Sequence, residues 1–579
     1  MAIDSYFDEE MKYLYDEGKN FAKAFPRQAK YLNIDSVDDR DPYIERLFEG
    51  VAFLTAGIRE KLDGTLPELT GGVVEVLWPG LRADFPSSTI VEFKSKGAAV
   101  TSSMTLSHGS KIVSTAVGEN SEKYRFKTTQ DIKIHPVVLD GISTNELIDG
   151  KFKVSFKFKI SANAELDKID MDNLKLYVHG EEQEALALHF FLTTTKSRAT
   201  IKVSNSDFSV FKKSAILPVG FSKDEALCKE FRDSLRSMNT LKEYFYYPEK
   251  FRFISLEGID VLKFSDLEER AFEYELVFDK KPPVGMVISI DKLRLYCSPA
   301  INLFSEESEV INDNGKKREH FLSPSFNIGS SRIHSIVSVE GKEKDSGEII
   351  KYQPYYSYEE SRAEALYHYN YRPSDKFGKD IYLSLIRPKF LDNKKLRRET
   401  VVAKVNCSNG VLPRDTIREG DISIPGRDFP DYAIFKNITR PSQPASGVSD
   451  NKTLWVFQSM ITSVFNSFGE IERLKSFLKI FNNEENSFGL GKIDSIEKAK
   501  VTVADEIIGS TALRGFLLTL TIKESGFSGD GDINMFGIIL LNFVKGFVSI
   551  NSFARLKINL YPSGRTLEFS PDRGDKWQI

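Results

Sequence analysis

Near residue 80 the hydrophobic period of this 579-residue chain changes from helical to alternating. That single change fixes the class: helices first, then sheets, in an α+β chain of several domains. At the start, Phe7, Met11, Leu14, Gly18, Phe21 and Phe25 recur at intervals of 4, 3, 4, 3 and 4 residues. This is the heptad spacing, which keeps one seam facing a partner helix. Pro26 ends the helix. Gly18 allows close backbone approach in the seam and weakens the helix. About three heptads suit an internal hairpin as well as a bundle with other chains.

The next stretch, DPYIERLFEGVAFLTAGIREKLD, runs from Asp41 to Asp63. Asp41 stands where an N-cap belongs, and Pro42 at the first helical position loses nothing by lacking an N–H. Ile44, Leu47, Phe48, Val51, Leu54, Ile58 and Leu62 form one apolar stripe, widened by Phe53. The stripe is expected to be core more than contact surface. A third helix is expected over 66–78.

The turn-rich WPGLRADFPSS then breaks the helical pattern. Strands follow. In KFKVSFKFKI (151–160), Phe152, Val154, Phe156, Phe158 and Ile160 alternate with lysines and Ser155. A period of two puts the aromatics inside and the lysines in water. The segment 174–203 reads strand, glycine turn, helix, strand. Around Pro248 stand Tyr244, Phe245, Tyr246, Tyr247, Phe251 and Phe253. They read as a packed aromatic corner, with a base- or sugar-stacking platform as the alternative. Residues 312–344 are polar and read as loops or exposed elements. Residues 437–453, rich in Pro, Ser and Gly, read as a linker or long loop. An amphipathic helix is expected at 454–468, and strand, helix and strand near the end. The resulting division is a helical segment 1–80, β-rich domains 81–295 and 296–445, and an α+β domain 446–579.

Composition excludes some classes. There are 79 basic against 83 acidic residues, a net charge of −4, so no basic excess speaks for nucleic acid. Cys228, Cys297 and Cys407 are odd in number and far apart, which speaks against a disulfide framework and for reduced thiols. The longest apolar run, near 533–544, is too short to span a bilayer. These readings place the chain in the cytoplasm. Of 7 histidines the closest two are ten residues apart, and no paired-His metal helix, Cys-x-x-Cys, P-loop or Gly-x-Ser-x-Gly elbow occurs. No catalytic, cofactor or metal motif is therefore recognisable, and among the abundant carboxylates nothing singles out an acid/base pair.

Several blocks, taken in order, resemble the TssF family (also VasA or ImpG) of the bacterial type VI secretion system. SYFDEEMKYL with Phe25-Pro26 is similar to the family's opening helix, and residues 41–63 match its next block almost throughout. FKTTQDIKIHPV, LPVGFSKDEAL, LKEYFYYPEKFRF, CSPAINLF, CSNGVLP, LRGF and GFVSINSF fit later blocks. Gly410 and Val411 depart from the family's charged pair. The resemblance implies a structural subunit of the cytoplasmic baseplate docked at the inner-membrane complex, with a fold like phage baseplate wedges. It implies two copies of this chain with one TssG-like subunit, a TssK-like subunit, and contacts to a TssE-like subunit and the spike or hub. In such wedges N-terminal helices braid together, so Phe7, Met11, Leu14, Phe21 and Phe25 become the candidate partner-binding residues. Two alternatives stay open: a wedge of a phage-derived injection machine, and a cytosolic enzyme acting on glycans or nucleotides through the 244–253 aromatics.

Overall fold

The computed structural model describes residues 2–26, 42–96, 100–119, 121–203, 206–210, 215–229, 236–262, 264, 270–326, 329–344, 346–355, 365–374, 378–387, 398–461, 468–482, 486–508 and 511–574. Two compact units result: residues 1–76 with 449–458, and residues 77–448 with 459–579.

The first unit is helical. One helix covers Ala2–Ala24 and a second covers Pro42–Leu77. The second helix is a correction to the sequence reading, which ended it near Asp63 and began another after it. Gly64 and Pro67 look like stop signals, yet the backbone stays helical for 36 residues. A single proline removes one ladder hydrogen bond, and the rest of a long helix carries the break. Asp41, the expected N-cap, lies outside the described residues, as do the side chains of Ile44, Ile58 and Leu62.

In the second unit, alternation does what period two requires. Phe156, Phe158 and Ile160 are buried while Lys157 and Lys159 are exposed. This strand, Phe152–Ile160, sits in a five-stranded antiparallel sheet between Ala271–Phe278 and Val137–Glu146. One lysine does more than meet water: Lys153 and Lys202 both pair with the buried Glu275 carboxylate, at 2.9 and 3.1 Å. Phe156, Phe158, Phe272 and Phe278 join a core shared with Leu174, Leu176 and Leu256, which come from a four-stranded sheet.

A six-stranded antiparallel sheet draws its strands from distant parts of the chain. Ser88–Ser95 lies between Cys297–Ile301 and Ala433–Asn437. Its members therefore come from both sides of residue 296. Beside this sheet runs the stretch expected to be a linker or long loop. It is an ordered strap: Ile438 N–H donates to Ile90 O at 2.9 Å, Ser442 N–H to Ser88 O at 2.8 Å and Ala445 N–H to Phe85 O at 2.9 Å. Gly447 ends it because a Cβ there would stand 2.2 Å from Arg82 O.

An eight-stranded sheet contains Ile311–Asp313, His320–Leu322 and Arg332–Glu343. The polar region 312–344, read as loops or exposed elements, thus contributes three strands with turns between them. Its polar residues fall on both faces: His334 is buried on the strand whose Val337 is exposed. In the second half of Arg332–Glu343, Val339, Gly341 and Glu343 are buried and Glu340 and Lys342 exposed.

At the C-terminal end, strands Thr511–Lys523 and Phe553–Tyr561 run parallel, joined by helix Asp530–Lys545. That helix packs against helices Glu182–Thr194 and Arg236–Tyr246, so the last sheet belongs to the same body as the middle ones. Gly531 permits a close approach: a Cβ there would stand 2.3 Å from Leu186 O. The helix expected at 454–468 covers Asn451–Ile461, and 462–467 lie outside the described residues.

Candidate assembly surface

In the second helix, residue size and burial are inverted. Ala52 and Ala56 are 0% exposed, whereas Leu47 is 64%, Phe53 57% and Leu54 68% exposed. Val51 and Tyr43 are exposed as well. A self-contained amphipathic helix buries its large apolar residues and leaves small ones wherever they fall. Of the stripe read as core, Leu47, Val51 and Leu54 therefore stand in solvent and Phe48 is half-buried, which corrects the sequence reading for the described residues. The reason is packing distance: alanines let a neighbouring segment approach closely, so the close-packed face carries the small side chains. The four-residue spacing of Ala52 and Ala56 was the available signal, hidden by the stronger one from leucine and phenylalanine.

The seam on the first helix is split by depth. Phe7, Met11 and Leu14 are half-buried, Gly18 is buried, and Phe21 and Phe25 are exposed. Phe21 and Phe25 form a tilted pair with centroids 5.2 Å apart. The two helices meet at Tyr15, whose ring lies 6.3 Å from that of Phe48 and whose hydroxyl donates to Glu45 Oε1 at 3.4 Å. In the short stretch 451–458 of the same unit, Leu454 and Phe457 are buried and Trp455 is exposed. Charge adds little. Lys19 with Asp16 and Arg46 with Glu49 are exposed pairs at 3.1 and 2.9 Å, of a kind that contributes at most about 1 kcal/mol. Tyr13, Phe21, Phe25, Tyr43, Leu47, Phe53, Leu54 and Trp455 make this unit unusually rich in exposed large apolar side chains. A surface of that kind marks an interaction site.

The aromatic corner answers its own question. Tyr244, Phe245, Tyr247, Phe251 and Phe253 are buried, and Tyr246 stacks on Phe85 at 5.3 Å. No open row of ring faces remains for a base or sugar. Beneath the corner, Lys242 Nζ donates to Gly80 O and Ala83 O at 2.6 and 2.9 Å, and burial pushes its ammonium down to about 8. Lys250 pairs with Glu243, whose other oxygen accepts from Leu227 N–H at 2.7 Å. These charges hold the corner together. Among the described residues no group of three or more His, Cys, Asp or Glu could hold a metal ion, and no helix is long and apolar enough to cross a membrane.

Fold and surface together define an assembly subunit: one unit of packed α+β layers, and one helical unit with large apolar side chains exposed. The chain belongs to the TssF family of the type VI secretion system, whose model matches residues 2–576. It is similar to the type VI secretion system component TssF1 of Pseudomonas aeruginosa, with 22% identity covering 99% of this chain and 98% of that one. Its fold matches a chain of the type VI secretion TssK-TssF-TssG baseplate subcomplex, solved by cryo-electron microscopy. The TM-score is 0.76 at 24% identity, covering 92% of this chain and 99% of that chain. A chain of a type VI secretion baseplate complex also matches, with a TM-score of 0.64 and 22% identity over the full length of both.

Proposed function

We propose that this chain is a structural subunit of a type VI secretion baseplate, with an assembly role and no catalytic one. It joins a TssG-like and a TssK-like subunit into a wedge, two copies of this chain to one TssG-like chain. The wedge carries contacts to a TssE-like subunit and the spike or hub, and docks in the cytoplasm at the inner-membrane complex. The carrying observation is the inverted helix, with Ala52 and Ala56 buried and Leu47 and Leu54 in solvent. Family membership and the solved relatives support the same reading. In it, Phe7, Met11, Leu14, Phe21 and Phe25 face other chains, together with Leu47, Phe53 and Leu54. Covering each such side chain contributes about 1 to 2 kcal/mol. A helix of 23 residues carrying so many apolar groups is marginal in water alone, so docking is the stable outcome. Native mass spectrometry of the chain co-expressed with its neighbouring baseplate genes tests the proposal. The expected mass holds two copies of this chain per TssG-like subunit, and a one-to-one complex contradicts it.

A further inference from the structure

The second unit contains a cleft of about 580 Å³, lined by residues 92–95, 137–139 and 293–296 among others. Two sheets end there. Val137–Glu146 is the last strand of the five-stranded sheet, and Leu293–Leu295 is the last of the four-stranded one. The direction of the peptide groups follows from neighbouring bonds. Ser161 N–H donates to Pro136 O and Ile160 N–H to Arg270 O. Strand alternation then turns the peptide groups of Val137 and Leu139 away from strand Phe152–Ile160, toward the free edge. Val137 O is already capped by the Tyr296 hydroxyl at 2.8 Å. The next outward position is Leu139, half-buried and standing just before a β-bulge at Asp140.

The lining chemistry selects the occupant. Val138 and Ile290 are exposed at the mouth and offer apolar contact. Three cations, Lys94, Lys159 and Arg294, line the cleft against one carboxylate, Glu92. Lys159 is matched by Asp140 at 2.9 Å, and Lys94 pairs with Glu92 at 3.5 Å. Arg294 is not well matched: Glu92 and Asp291 both stand 3.8 Å away, beyond hydrogen-bond length. The Arg294 side chain is 30% exposed, so an incoming carboxylate can reach the guanidinium and form a charge-assisted hydrogen bond.

We propose that this cleft receives an extended, acidic segment of a partner subunit, added as a strand at the Leu139 edge. Its apolar side chain rests on Val138 and Ile290 and its carboxylate takes the Arg294 guanidinium. Main-chain pairing gives such a contact affinity, and the side-chain pockets give it specificity. The proposal rests on the assembly reading above.

The test places a photo-crosslinking p-benzoylphenylalanine at Val138, an exposed position, in the full chain co-expressed with its neighbouring baseplate genes. The expected result is an adduct to a partner peptide containing Asp or Glu, mapped by mass spectrometry. Arg294→Glu with Lys94→Glu should lower the adduct about tenfold while the complex still assembles. Arg294→Gln, which keeps most of the stem, should lower it too and guards against misfolding of the double variant. An intact complex with no adduct, with an adduct unaffected by either variant, or with an adduct to a helical or non-acidic segment overturns the proposal. Failure to recover any complex sinks the assembly reading and this proposal with it.

Discussion

Asn302 and Asn409 lock two distant parts of the chain together inside the protein. The Asn302 amide donates to Asn409 Oδ1 at 2.9 Å, and Asn409 N–H donates back to Asn302 Oδ1 at 2.7 Å. Asn302 also donates to Arg125 O at 2.8 Å. The two residues follow strands Cys297–Ile301 and Glu399–Ser408, and so tie the six-stranded sheet to the eight-stranded one.

Removing one partner leaves buried polar groups without bonds. Asn302→Ala should destabilise the chain by roughly 2 to 4 kcal/mol. Urea unfolding checks this, with an unchanged slope and a lower midpoint expected. Asn302→Asp should be no milder, because the carboxylate cannot donate to Asn409 Oδ1 or Arg125 O.

Histidine burial makes stability depend on pH. Burial holds His135 and His189 down at about 4, against an ordinary 6.5. As pH falls from 6.5 towards 4, the unfolded chain takes up protons that the folded one refuses. Stability is therefore complete above 6.5 and falls through this window, by up to roughly 3 kcal/mol for each residue. Urea midpoints measured across the window should fall, and His189→Gln should flatten the curve by about half.

The thiols should be inert in the native protein. Burial pushes Cys407 up to about 12 and Cys297 well above its ordinary range, so neither offers a thiolate at neutral pH. Iodoacetamide should leave both unlabelled in native buffer and label both in urea. Labelling of either at native speed would show that its surroundings open.

Some of this was legible in the sequence and some was not, for identifiable reasons. The alternation in residues 151–160 is a local signal, and the strand obeys it. The aromatic corner was readable because six rings in ten residues must pack somewhere. The family blocks owe their form to packing: Glu243 with Lys250 is a buried pair within one block, and Asn302 with Asn409 a buried pair across two. Pairings between residues more than a hundred apart leave no periodic trace, so the sheet that gathers 88–95, 297–301 and 433–437 was not legible. The strap at 438–448 read as a linker or long loop, because proline, serine and glycine suit both a free loop and a chain pressed on a sheet. The opening stripe misled most. Periodicity reports that a helix has an apolar face, and it cannot report whether that face is closed by the same chain or by another.

The seam should therefore behave as a contact surface. Leu14→Asp with Phe21→Asp places charges at one half-buried and one exposed position. The isolated chain should keep its circular dichroism spectrum and thermal midpoint, while pull-down by the TssG-like subunit is lost. A large drop in the midpoint would assign the seam to an internal hairpin.

The central claim is that the uncovered face of helix Pro42–Leu77 is an assembly surface. Its most direct test is co-purification of Leu47→Asp with Leu54→Asp against the TssG-like subunit, paired with unfolding of the isolated variant. At 64% and 68% exposure, both substitutions should change the isolated chain's stability by no more than about 0.5 kcal/mol each. The account predicts an unchanged melt and a complex that no longer co-purifies. A variant that still assembles normally, or an isolated chain that no longer folds, would contradict it.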